Sequence, residues 1–168
     1  YYGRSKWKSE QLFEQVSFPY SILRTVLVYG VLQDLSRSNI VLWAKSALEK
    51  GEEINVVDDQ YRCPTLSEDL AFACLQVIQE NATGVYHVSG KDFLSILDLT
   101  IEIADYWGLD KSLINPISSD DLNQKARRPL KTNLNLSKAK QGFVYQPKSF
   151  REGLKLLDEQ IKKIKQKE

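Results

Sequence analysis

The chain has 168 residues with 23 basic against 22 acidic, a formal charge of +1, two cysteines and a single histidine. That length carries one domain whose core is not limited by size, and the near-zero charge supplies no field toward nucleic acid or a membrane surface, leaving a small molecule or another protein as the expected partner. Cys63, Cys74 and His87 build neither a disulfide framework nor a metal-ligand spacing, and no apolar run reaches membrane-spanning length, so a reducing cytoplasm and no metal are expected.

The first predicted helix covers residues 2–16, with Trp7, Leu12, Phe13 and Val16 as apolar contacts and Lys8, Glu10 and Glu14 facing water. At its head Tyr2 and Lys6 stand four residues apart, which places both side chains on one helix face. A phenol beside an ammonium is a usable acid/base pair, because the positive charge favours the phenolate. The bland alternative is a surface pair on an amphipathic helix. After Pro19, residues 20–30 are rich in branched apolar side chains and close on Gly30, the pattern of a strand buried on both faces of a parallel sheet. A helix follows at 40–50 with Gly51 as its stop, then a short strand at 54–57.

The loop 58–64 leads into Thr65 and Glu68, which fit a capping box for a helix carrying the apolar run 70–78. Residues 85–88 read as a short strand, and Ser95 with Asp98 as the cap of a helix in which Ile96, Leu99, Ile103 and Trp107 share a face and Gly108 ends the run. Residues 109–130 read mostly as connection, with a helical turn at 120–125. Residues 133–136 read as a short extended piece, and 149–165 as a last helix with Phe150, Leu154, Leu157, Ile161 and Ile164 inward. The aromatic pairs Trp7 with Phe13 and Tyr106 with Trp107 are expected to be packing.

Four stretches, taken in order, resemble the C-terminal half of the extended short-chain dehydrogenase/reductase family, most closely its dTDP-4-dehydrorhamnose reductase branch. Tyr2-Gly3-Arg4-Ser5-Lys6 is similar to the family's Tyr-Gly-x-x-Lys. Leu23 through Gly30 resembles the strand running past the nicotinamide into the sugar pocket, and Asp59-Gln60-Tyr61-Arg62-Cys63-Pro64-Thr65 resembles the branch's Asp-Gln-x-Gly-x-Pro-Thr. Gly84-Val85-Tyr86-His87-Val88, Arg128-Pro129-Leu130 and Leu134-Asn135-Leu136-Ser137-Lys138 resemble the closing strand and the arginine-proline loop.

The resemblance implies an α/β fold: the last parallel strands and active-site helix of a Rossmann-type NAD(P)-binding sheet, joined to a small α+β substrate-binding lobe. Residues 1–168 form a single unit on this reading. It implies reduction of the 4-keto group of a dTDP-linked deoxysugar with NADPH or NADH, in which Tyr2 protonates the forming alkoxide while Lys6 favours its ionisation and holds the nicotinamide ribose. Leu27, Gln60 and Arg128 fall at substrate-binding positions. The chain departs from the pattern at Leu27, where an aromatic residue is usual, and at Arg62, where glycine is. The family's glycine-rich phosphate-binding turn and the hydroxyl residue preceding the tyrosine are not in the chain, and the first residue is not methionine. A fragment of something longer is therefore expected, inactive by itself, binding dinucleotide weakly and self-associating through exposed apolar surface.

Other readings stay open. A sugar-nucleotide epimerase or dehydratase would use the same tyrosine first as a base, and a non-catalytic regulatory or scaffold relative would keep only the fold. Arg127 and Arg128 are either a diphosphate clamp or solvated loop charges. His87 is expected to be a strand histidine rather than a base, and the adjacent Asp58 and Asp59 to belong to a turn.

Overall fold

The computed structural model describes residues 1–31, 39–122, 126 and 128–166. Helix α1 (Tyr2–Gln11) runs into a 3₁₀ turn at Leu12–Gln15, and none of its residues is buried. Trp7, Leu12 and Phe13, expected as packing contacts, are exposed. Phe13 meets Tyr20 at 5.4 Å between ring centres rather than Trp7. Glu10, expected to face water, is tied to Arg24. An amphipathic stripe specifies a face to be covered, and within the described chain nothing covers this one.

The predicted strand 20–30 is two strands. β1 (Ser21–Arg24) and β2 (Val28–Tyr29) flank a break at Leu27, whose φ of 47° lies in the left-handed region and cannot continue a strand. Helix α2 (Ile40–Glu49) starts at Asn39, whose side-chain oxygen accepts from the Val41 and Leu42 amides, and buries Val41, Ala44, Ala47 and Leu48. β3 (Ile54–Val57) lies where the sequence places it. β4 (Tyr61–Arg62) and β5 (Thr65–Leu66) precede helix α3 (Ser67–Gln79).

The expected Thr65–Glu68 capping box does not form. The buried Thr65 hydroxyl donates instead to the Val26 carbonyl at 2.7 Å, an acceptor left free by the break at Leu27, and Glu68 bonds Ser67 and Gln160. β6 (Gly84–His87), β7 (Leu94–Ser95) and helix α4 (Ile96–Trp107) follow. Ser95 caps α4 by accepting from the Asp98 amide, and Gly108 ends it at φ 64°, a conformation glycine takes without steric cost.

Residues 109–130 are more than connection. A 3₁₀ turn at Lys111–Leu113 leads into β8 (Ile114–Ile117), with Pro116 on its exposed side as suits an edge strand. Of the expected turn at 120–125, residues 123–125 lie outside the described residues, and before them the Asp121 amide donates to the Ser118 carbonyl at 3.1 Å in a turn. Residues 133–136 belong to no strand, and a short helix α5 (Ser137–Gly142) follows them. Helix α6 (Phe150–Lys165) opens on a complete Ser149–Glu152 capping box and turns Phe150, Leu154, Leu157 and Ile161 inward.

The strands pair as β1 with β6, β2 with β5 and β3 with β8, all parallel, and β4 with β7 antiparallel. Two cores result. The larger joins α2, α4 and α6 over β3 and β8, with Tyr29, Leu66 and Leu99 inside it. The smaller sets Ala73 and Val77 of α3 against Tyr86, Val88, Ala139, Phe143 and Tyr145. Tyr106 and Trp107 pack edge to face at 4.8 Å, as expected.

Candidate functional site

Tyr2 and Lys6 meet as their spacing dictates. The Lys6 ammonium lies 5.6 Å from the centre of the Tyr2 ring, and Tyr2 is 74% exposed, so a carbonyl compound has open access to the phenol. The ion pairs among the described residues do not include Lys6. The helix bearing the pair is tethered by a two-point ion pair: Arg24 donates from Nε to Glu10 Oε1 at 2.9 Å and from Nη2 to Oε2 at 2.5 Å. The Arg24 hydrogen bond holds the Glu10 carboxyl below the usual carboxylate range. Arg24 is the last residue of β1, so the tether fixes α1 at the carboxyl end of a parallel strand, where ligands of open α/β sheets bind.

A second cluster forms around β4. Its backbone is paired on one edge with β7 and on the other with the segment following Arg128: the Tyr61 amide donates to the Leu130 carbonyl at 2.7 Å, and the Thr132 amide to the Tyr61 carbonyl at 3.0 Å. Arg62 reinforces the second edge. Its guanidinium donates from Nη1 to the carbonyls of Tyr61 (2.7 Å) and Leu130 (3.1 Å), and from Nη2 to the Pro129 carbonyl (2.8 Å) and Gln60 Oε1 (3.1 Å). Burial, and then the charge of Arg128, push the Arg62 guanidinium below its ordinary value. Above this layer the rings of Tyr61 and Phe93 lie 5.6 Å apart, and the Lys131 ammonium sits 5.4 Å over Tyr61.

The expected substrate residues divide between these features. Gln60 is 5% exposed, and its side-chain oxygen is committed to Arg62. Arg128 is exposed at the loop that Arg62 grips. Leu27 sits half-buried against the larger core, its carbonyl accepting from the Thr65 amide at 3.1 Å. Arg127 lies outside the described residues. His87 is half-buried on β6, opposite Arg24, and Asp59 accepts from the Ser119 amide and hydroxyl, a loop contact. A link between the two clusters runs from Arg24 through its neighbour Thr25, whose hydroxyl donates to Thr65 Oγ1 at 3.2 Å, toward β4. Sequence reasoning missed the role of Arg62. Its signal was present as an arginine at the position where the resembling pattern carries glycine. No cluster of potential metal ligands occurs among the described residues.

A helix tied to the carboxyl end of a parallel strand and followed by a mixed lobe is the C-terminal part of a Rossmann-like α/β architecture. The chain belongs to the RmlD substrate binding domain family, whose pattern matches residues 1–163. It is 30% identical over 165 residues to a dTDP-4-dehydrorhamnose reductase of Aggregatibacter actinomycetemcomitans, covering 92% of this chain and 55% of that one. It is 26% identical over 159 residues to the methionine adenosyltransferase 2 subunit beta of Xenopus tropicalis, covering 92% of this chain and 47% of that one. Among solved structures it resembles the dTDP-4-dehydrorhamnose reductase of Bacillus anthracis in complex with NADP, with a TM-score of 0.83, 29% identity, and coverage of 95% of this chain and 55% of that one. The chain thus spans about half the length of the curated relatives it matches.

Proposed function

We propose that this chain is the catalytic-helix and substrate-binding half of an NAD(P)H-dependent sugar-nucleotide reductase acting on the 4-keto group of a dTDP-linked deoxysugar. The observation that carries the reading is the exposed Tyr2 with the Lys6 ammonium 5.6 Å from its ring, in a chain whose relatives include named dTDP-4-dehydrorhamnose reductases. Reduction leaves charge on the former carbonyl oxygen, and Tyr2 supplies the proton while Lys6 stabilises the phenolate that remains. NADPH or NADH supplies the hydride. The exposed Tyr2–Lys6 face fits the nicotinamide-ribose end of that cofactor, whereas the sequence holds no glycine-rich turn for its pyrophosphate. Leu27, Gln60 and Arg128 are the proposed substrate-side residues. No described helix is long and apolar enough to cross a membrane, and the reading places the enzyme in the cytoplasm. The isolated chain is inactive on this reading, and its exposed Trp7, Leu12 and Phe18 drive self-association.

The test is oxidation of NADPH by the intact protein with a dTDP-4-keto sugar, beside Tyr2→Phe. A general acid contributes about a hundredfold or more, so turnover in the variant is expected to fall at least that far with substrate affinity retained. A second reading rests on the relatives named as a methionine adenosyltransferase subunit: the chain belongs to a subunit that lends its surface to another enzyme. Equal behaviour of wild type and Tyr2→Phe, with no turnover in either, selects that reading.

A further inference from the structure

Arg62 is 9% exposed, and no carboxylate is paired with it among the described residues. A buried cation without a counter-ion is costly, and hydrogen bonds to the charged form offset only part of that cost. All four Nη hydrogens of Arg62 go to neutral oxygens, and two of these are the carbonyls of Pro129 and Leu130, directly after Arg128. The two peptides following Arg128 are therefore turned toward Arg62 and held there. Arg128 itself is exposed and belongs to none of the ion pairs among the described residues. The Arg128 charge is felt at Arg62. Two guanidiniums within electrostatic reach of one another, neither in an ion pair among the described residues, leave the described part of the loop short of negative charge. Arginine forks match phosphate oxygens in geometry, and a diphosphate brings the two charges the site lacks. Glycine, which the resembling pattern carries at this position, could make none of the four bonds.

We propose that Arg62 is a positioning residue for an anion seat: it clasps the Pro129–Leu130 carbonyls so that Arg128 is held ready for the diphosphate of the ligand. The inference rests on the sugar-nucleotide reading of this site and assigns the residue that shapes it.

Calorimetric titration of the intact protein with inorganic pyrophosphate and, separately, with dTDP tests the clasp. Arg128→Ala is expected to weaken pyrophosphate binding at least tenfold. Arg62→Lys is expected to weaken it at least fivefold although the charge is kept, because an ammonium cannot span the four acceptors. Placed on Arg128→Ala, the lysine substitution is expected to cost less than twofold more, since the loop it misplaces no longer carries the binding group. Hydrogen exchange of the wild type gives a readout independent of any variant's folding: pyrophosphate should slow the amides of Tyr61 and Thr132, which donate across this edge. Wild-type affinity in Arg62→Lys, losses that multiply in the double variant, or no slowing at Tyr61 and Thr132 would each overturn the inference. Pyrophosphate bound as expected, but dTDP bound no more tightly and no keto-sugar reduced, would leave the clasp standing and remove the sugar-nucleotide reading. A wild type that binds neither removes both.

Discussion

Replacing Gly153 by alanine probes how α6 is seated. A Cβ at that position would lie 1.9 Å from the Tyr29 hydroxyl oxygen, 2.9 Å from Cζ and 3.3 Å from Cε2. The ring cannot yield cheaply, being 2% exposed and packed edge to face on Phe150 at 5.3 Å. Helix propensity alone favours the substitution by about 0.8–1 kcal/mol, whereas overpacking of this severity costs about 3 kcal/mol. The net expectation is a loss of about 2 kcal/mol, a fall in melting temperature of roughly 4–8 °C. Thermal unfolding of the intact protein measures it. Adding Tyr29→Phe removes the oxygen nearest the new methyl, so the double variant should be more stable than the sum of the single changes predicts. A Gly153→Ala protein melting at or above the wild-type temperature would refute the reasoning, because propensity would then have outweighed the contact.

Acid stability should report the α6 cap: bonds from the Ser149 amide and hydroxyl, and then Lys91, hold the Glu152 carboxyl at about 2. Because that value is depressed from an unfolded one of about 4.3, the stabilisation is whole above that pH and drains as pH falls toward 2, so Glu152→Gln should flatten the acid limb of the stability curve. An unchanged slope would count against the cap. The thiols should separate cleanly, Cys74 labelling with a maleimide in the native state and Cys63 only on unfolding, since Cys63 is buried and burial pushes its thiol up. Glu10→Ala should leave global stability within about 1 kcal/mol, as exposed pairs do, yet quicken amide exchange in α1 relative to α4. Equal exchange in wild type and variant would show that the tether does not hold the helix.

Helices α2, α4 and α6 were legible because their apolar period is local, as is the cap of α4 by Ser95 with Asp98; the caps at Asn39 and at Ser149 with Glu152, though equally local, were not read. The meeting of Tyr2 and Lys6 was legible for the same reason. The break at Leu27 was not, because a run of branched apolar residues reads as one strand and nothing local announces a left-handed leucine. Thr65 and Glu68 matched a cap in spacing, but a carbonyl at Val26, brought close by that break, took the hydroxyl. Periodicity marked Trp7, Leu12 and Phe13 as a face that wants cover and could not say whether cover exists; the expectation of exposed apolar surface came from the resemblance to half of a larger fold, not from the pattern. The clasp at Arg62 joins groups 67 and 68 positions away, a relation that no window along the sequence contains.

The two halves of the site are fastened by different chemistry. The helix carrying Tyr2 and Lys6 hangs on a carboxylate, which loses its grip once Glu10 takes a proton. The loop carrying Arg128 hangs on peptide carbonyls, which have no proton to gain at any biological acidity. On the proposed function, acidification therefore loosens the Tyr2–Lys6 helix before the Arg128 loop, and a phosphorylated ligand would be retained at a pH where the proposed reduction has stopped.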